Sequence, residues 1–160
     1  MAGRLGKVDI MVKQVSAVGR FAALSVRTGL SLGVMRTSRV ADFNLMLAAA
    51  AQSFAAGRCY SESEVNAVLQ NWLVHEGSHL AVDHVELRRW LVDCRVLARD
   101  DYGRAYVLAT PTPEIAAPVS ALSGVDLAEV AAAARAADAV AREERRQRWV
   151  ESPRGGAHGV

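Results

Sequence analysis

The 160-residue sequence holds two cysteines, four prolines and no apolar run long enough to cross a bilayer. A membrane span needs about 18 or more consecutive apolar residues, and Arg20, Arg27, Arg36 and Asp42 interrupt the apolar N-terminal stretches. The same arginines break up any segment that would serve as a secretory signal, so the expected location is the cytoplasm, with no membrane partner. An Arg- and Ser-bearing, acid-poor N-terminus also has the composition of an organellar transit peptide, the one alternative. Cys59 and Cys94 stand far apart, each inside a patterned element, and in a reducing compartment they read as small core residues rather than a disulfide. Cys-x-x-Cys, His-Glu-x-x-His, Gly-x-Ser-x-Gly, a phosphate-cradling glycine loop and paired catalytic carboxylates are all missing from the sequence. The expectation is therefore no enzyme, no metal and no cofactor. His75, His79 and His84, with Cys59 or Cys94, are zinc-capable residue types, but a closed zinc site takes four ligands in recognisable pairs.

The length fits one core with appendages, because single cores of about 100 to 150 residues are common. Net charge is +2, unevenly spread. Residues 1–37 carry +5, from Arg4, Lys7, Lys13, Arg20, Arg27 and Arg36 against Asp9, whereas residues 38–109 carry −2 and residues 110–160 carry −1. Phosphate neutralisation supplies most of the affinity of a nucleic-acid binder, so an acidic central segment argues against a simple basic face unless its arginines cluster.

Residues 1–19 mix polarities around two glycines and predict a flexible basic arm or short strand. Residues 20–37, with Gly29 and Gly33, predict a turn-containing lead-in. From Ser38, apolar residues at Val40, Phe43, Leu47, Ala50, Ala51 and Phe54 recur at helical spacing, and Gly57 is placed to end the helix. Ser61 with Glu64 matches a capping box that opens a second helix, whose stripe is Val65, Val68, Leu69 and Trp72. Asp83 repeats the capping chemistry ahead of a third helix, in which Leu87, Trp90, Leu91 and Cys94 share one face. Val96 to Arg99 and Ala105 to Leu108 then read as strands joined by Asp100, Asp101, Tyr102 and Gly103. Two capped helices followed by a hairpin, in this order, are the outline of a winged helix.

Three stretches carry a family resemblance: Arg58 to Asn66, Asp83 to Asp93 and Arg99 to Tyr106. They resemble the bacterial "domain of unknown function 2087" family, whose pattern is roughly Arg-x-Tyr-Thr/Ser-Glu-x-Glu-Val-Asn, then Asp-His-x-x-Leu-Arg-Arg-x-Leu-Val-Asp, then Arg-x-x-x-Gly-x-x-Tyr. The likeness covers about residues 20–109. It implies a domain found alone or joined to helix-turn-helix regulators and commonly labelled a transcriptional regulator, and it brings no catalytic residues. The sequence departs from the pattern at Cys94-Arg95, where a small residue or glycine is expected before the wing.

The candidate nucleic-acid contacts are Arg88, Arg89 and Arg95 from the third helix, His84 at its start, and Arg99 and Arg104 flanking the wing tip. Each has a plainer reading. Glu86 and Asp93 stand three before and four after Arg89, spacings that support helical ion pairs of about 0.2 to 0.5 kcal/mol. Asp100 and Asp101 oppose a wing contact, His84 reads equally as a first-turn residue, and Asn66 reads as a structural link to the third helix or the loop.

Pro111, Pro113 and Pro118 predict a linker over residues 110–125. Asp126 with Glu129 then opens a helix over residues 126–150, whose narrow stripe of Leu127, Val130, Ala134, Ala137 and Ala141 suits a homodimer. Residues 151–160 predict a disordered tail. The fold expected is mainly α with a small β-hairpin, a winged helix-turn-helix core with an extra C-terminal helix. Two functions compete: a small dimeric DNA-binding regulator with two third helices about 34 Å apart, or a protein-interaction module meeting its partner through Val85, Arg89 and Val92.

Overall fold

The structure is a computed structural model that describes residues 3–152. The described chain runs α1 (Gly3–Ser25), α2 (Leu32–Ser38), α3 (Val40–Ala51), α4 (Glu62–Val74), α5 (His84–Asp93), β1 (Leu97–Arg99), β2 (Tyr106–Leu108), α6 (Pro113–Leu122) and α7 (Leu127–Glu151). It is mainly helical with one antiparallel hairpin, in register Leu97↔Leu108, Ala98↔Val107 and Arg99↔Tyr106.

Helix α3 is the centre. Its residues from Asp42 to Ala51 are buried except Asn44, because a helix apolar nearly all round must be covered on all sides. The alanines Ala48 to Ala51 leave room for close neighbours, and α1, α2 and α6 pack around the helix. Helix α3 ends at Ala51, before the expected boundary. Gly57, with φ +76°, turns the chain in the following loop and does not cap the helix. Phe54 and Tyr60 of that loop are buried edge to face, 5.2 Å apart, and the Tyr60 hydroxyl accepts the Ala55 amide at 2.8 Å.

The caps fall where the sequence places them. Ser61 Oγ accepts the Glu64 amide at 3.1 Å and Glu64 Oε2 accepts the Ser61 amide at 2.8 Å, a complete capping box at the start of α4. Asp83 Oδ1 accepts the Glu86 amide at 2.8 Å and starts α5. Val65, Leu69 and Trp72 of α4 and Leu87 and Leu91 of α5 face the core. Gly77 lies flat on the Trp72 indole, where a Cβ would overlap the ring. Tyr60 and Tyr106 exchange both backbone hydrogen bonds at 2.8 Å, so the segment before α4 runs along β2 as a single further rung.

Expectations for the N-terminal arm and for the proline segment are corrected. The flexible arm or strand expected over residues 1–19 is helical from Gly3 onward, and the lead-in over 20–37 holds its turn, at Gly29, between the end of α1 and α2. The glycines of α1 cost helix propensity, but Phe21 and Leu24 are fully buried against the body and Arg20 clamps Asp42 of α3, so tertiary packing overrides propensity. The linker over residues 110–125 contains α6. Pro113 sits in the first turn, where its missing amide is harmless, and Ile115 and Leu122 are buried, so Pro113 starts this helix and Pro118 is carried inside it. In α7 Leu127 and Ala131 are buried and Val130, Ala134, Arg135, Asp138 and Ala141 are half-buried, so of the expected stripe only Ala137 is exposed. Apart from Glu151 and Ser152, the tail expected over residues 151–160 lies outside the described residues. No single described helix is long and apolar enough to cross a membrane.

Candidate nucleic-acid interface

Helix α5 packs through Leu87 and Leu91, both fully buried, with Trp90 edge to face on Phe43 at 5.2 Å. That orientation decides what its polar residues can reach. Arg88 turns toward α4, where it donates to Asn66 Oδ1 and pairs with Glu62 Oε1 at 3.1 Å; its side chain is only 16% exposed. The structural reading of Asn66 therefore holds, and Arg88 is the other half of that link. His84 is half-buried with its Nδ1 3.4 Å from the Gln70 amide of α4. Two of the six candidates are thus engaged in holding α4 to α5.

Arg89 is exposed, and the ion pairs to Glu86 and Asp93 that its spacing allows are not formed among the described residues. Glu86 instead accepts the Trp90 indole N–H at 3.3 Å. Arg95 is exposed and has φ +59°, the one non-glycine with positive φ among the described residues. It stands just past the end of α5. The Val96 amide donates to the Leu91 carbonyl at 2.8 Å and the Arg95 amide to the Val92 carbonyl at 3.0 Å, the paired bonds of a Schellman ending, whose left-handed position normally takes glycine. The departure from the family pattern at Cys94-Arg95 coincides with this position.

The hairpin tip is built by Asp100. Its Oδ1 accepts the Arg104 amide at 2.7 Å and the Ala105 amide at 3.2 Å, its amide donates to the Ala105 carbonyl and its carbonyl accepts the Gly103 amide. These amides hold the Asp100 carboxyl below the usual aspartate range, the Arg104 amide contributing most. Gly103, with φ +66°, closes the turn. Arg99 and Arg104 are exposed, and the Arg104 guanidinium lies over the Tyr102 ring at 5.6 Å. Tyr102 is 81% exposed, an aromatic platform that the sequence presented only as a turn residue. The signal was there: an aromatic two residues before an arginine in a hairpin loop.

Arg89, Arg95, Arg99 and Arg104 are thus exposed on the end of α5 and the hairpin, interspersed with the exposed Glu86, Asp93, Asp100 and Asp101. The surface mixes signs. The histidines do not converge: His75 Nδ1 meets the Asn71 carbonyl at 2.8 Å, His79 is buried, and no three metal-ligating side chains gather among the described residues.

No match is found among curated proteins or among solved structures. Residues 37–108 match the model of a bacterial family described as "Uncharacterized protein conserved in bacteria (DUF2087)". The match begins at the end of α2, later than the sequence likeness suggested, so α1, α6 and α7 are built around it. The segment that holds α3, α4, α5 and the hairpin is thus similar to this domain of unknown function 2087 family.

Proposed function

We propose that the chain is a small winged-helix DNA-binding protein, a transcriptional regulator acting in the cytoplasm as a homodimer. The observation that carries this reading is the set of exposed arginines Arg89, Arg95, Arg99 and Arg104, with Tyr102 beside them, at the end of α5 and on the hairpin. Arginines at such positions reach phosphates and base edges, and an exposed aromatic adds a stacking surface. The rung between Tyr60 and Tyr106 supports it too, since it braces the hairpin against the segment before α4. In α7 only Leu127 and Ala131 are fully buried, and the helix runs on to Glu151, which leaves a face for a second copy.

The interaction-module reading draws on the mixed charge of this surface. Its proposed face is weaker than the sequence suggested, because Val92 packs against the core and Val85 is half-buried. A salt titration separates the two. Binding to mixed duplex DNA should weaken steeply from about 50 to 200 mM salt, with a log–log slope of about −0.9 per phosphate contacted. Arg89→Ala should lower that slope by about one contact without moving the thermal midpoint. No binding at about 50 mM salt removes the regulator reading.

A further inference from the structure

Away from α5 and the hairpin, a hollow of about 280 Å³ opens between the turn after α1, the loop after α4 and the middle of α7. It is smaller than the common drug-sized pocket and has room for a handful of heavy atoms with some water. Three basic residues line it, Arg27, Arg135 and Arg142, against one acid, Asp138. Asp138 pairs with Arg142 at 2.6 Å. Arg135 donates to the carbonyls of Ser25 at 3.0 Å, His75 at 3.0 Å and Glu76 at 3.4 Å, where α1 and α4 end. Carbonyl acceptors orient a guanidinium without cancelling its charge, so the hollow stays positive.

The inner wall is His79, 1% exposed. Its backbone is fixed by the Leu30 amide, which donates to the His79 carbonyl at 3.0 Å. Its Nε2 is 3.1 Å from Met46 Sδ, and its Nδ1 has no hydrogen-bond partner. Burial first, then the charge of Arg135, pushes the ring down to about 4, against a smaller upward pull from the Glu76 carbonyl, so it is neutral at neutral pH. Nδ1 is closed off from solvent, so His79 backs the hollow as a neutral wall rather than as a contact for its contents.

We propose that this hollow binds a small oxyanion, the phosphate or carboxylate group of a low-molecular-mass ligand, with Arg27, Arg135 and Arg142 meeting its charge. Its walls come from α7 on one side and from the ends of α1 and α4 on the other. An anion held there ties the C-terminal helix to the body, and the site does not depend on the DNA-binding reading.

The test uses the full chain with inorganic phosphate and with succinate, each against sodium chloride at equal ionic strength, followed by calorimetry and thermal unfolding. At least one anion should bind saturably and raise the midpoint, as a ligand of the native state must. A preference for phosphate assigns the site to phosphate esters, and a preference for succinate assigns it to carboxylic acids. The double variant Arg27→Ala/Arg142→Ala, both surface positions, should stay folded and bind at least tenfold more weakly. Absence of saturable binding by both anions at about 10 mM, or equal binding by the double variant, would each overturn the proposal.

Discussion

Replacing Arg88 and Arg89 one at a time is the sharpest test of how α5 is seated, because neighbours in sequence are given opposite roles. Arg88 is 16% exposed and joins Glu62 and Asn66 of α4. A hydrogen bond from a charged donor contributes about 1.5 to 3 kcal/mol, and the pair with the half-exposed Glu62 adds about 0 to 1 kcal/mol after solvent screening. Arg88→Ala also strands the Asn66 carbonyl, so a loss of about 2 kcal/mol is expected. For a chain of this size that lowers the thermal midpoint by about 4 to 8 °C. Arg89→Ala, at an exposed position, should stay within about 0.5 kcal/mol. Urea unfolding of both variants reads the difference as a shift in midpoint at constant slope. A double-mutant cycle of Arg88→Ala with Asn66→Ala should return a coupling of about 1 kcal/mol. If Arg88→Ala costs no more than Arg89→Ala, or the coupling is within about 0.3 kcal/mol, the α4–α5 link is not what holds the helix and the assignment of the two arginines fails.

Two further outcomes follow from named residues. Arg95→Gly should raise stability by about 1 kcal/mol in urea unfolding, because the left-handed position after α5 is costly for a residue with a Cβ; if Arg95 also touches phosphate, the same variant should bind DNA with a slope reduced by about 0.9. Asp42 is nearly buried and held below its ordinary range chiefly by the Arg20 hydrogen bonds, at 2.7 and 2.6 Å. Its folded value lies below its unfolded value, so the stability it contributes is full above about pH 4 and is lost as pH falls through the folded value. Asp42→Asn should therefore cost about 2 kcal/mol at neutral pH and flatten the acid limb of the stability curve, and an unchanged acid limb would rule the pair out as its source.

The legible parts of this chain are those written locally. Ser61 and Glu64 announce α4 within four residues, Asp83 announces α5 in the same way, and the run from Asp100 to Gly103 specifies a turn, because capping and turn chemistry act between neighbours. What escaped depends on contacts far along the chain. Residues 3 to 25 look like an indifferent arm until Phe21 and Leu24 find cover and Arg20 finds Asp42, twenty-two positions away. Pro113 and Pro118 look like breakers until Ile115 and Leu122 are buried and Gln52 donates to the Leu122 carbonyl.

The candidate site divides along the same line. Spacing alone identified Arg88 and Arg89 as a pair on one helix, and it even supplied plausible partners for Arg89 in Glu86 and Asp93. The tertiary contacts reversed the assignment: Arg89 is left unpaired by its own helix, and Arg88 is taken by residues 22 and 26 positions earlier. The same reasoning separates His79 from the other histidines. In the sequence it was one of three zinc-capable histidines in a short stretch that lacked paired ligands; packed beneath Met46 and Phe21, it becomes the inner wall of a basic hollow whose arginines come from α7 and from the turn after α1. Those arginines lie 52 or more positions from His79 along the chain, and no local pattern joins them. Only the docking of α7 against the ends of α1 and α4 does so, and Arg135 bonds to the backbone of both ends.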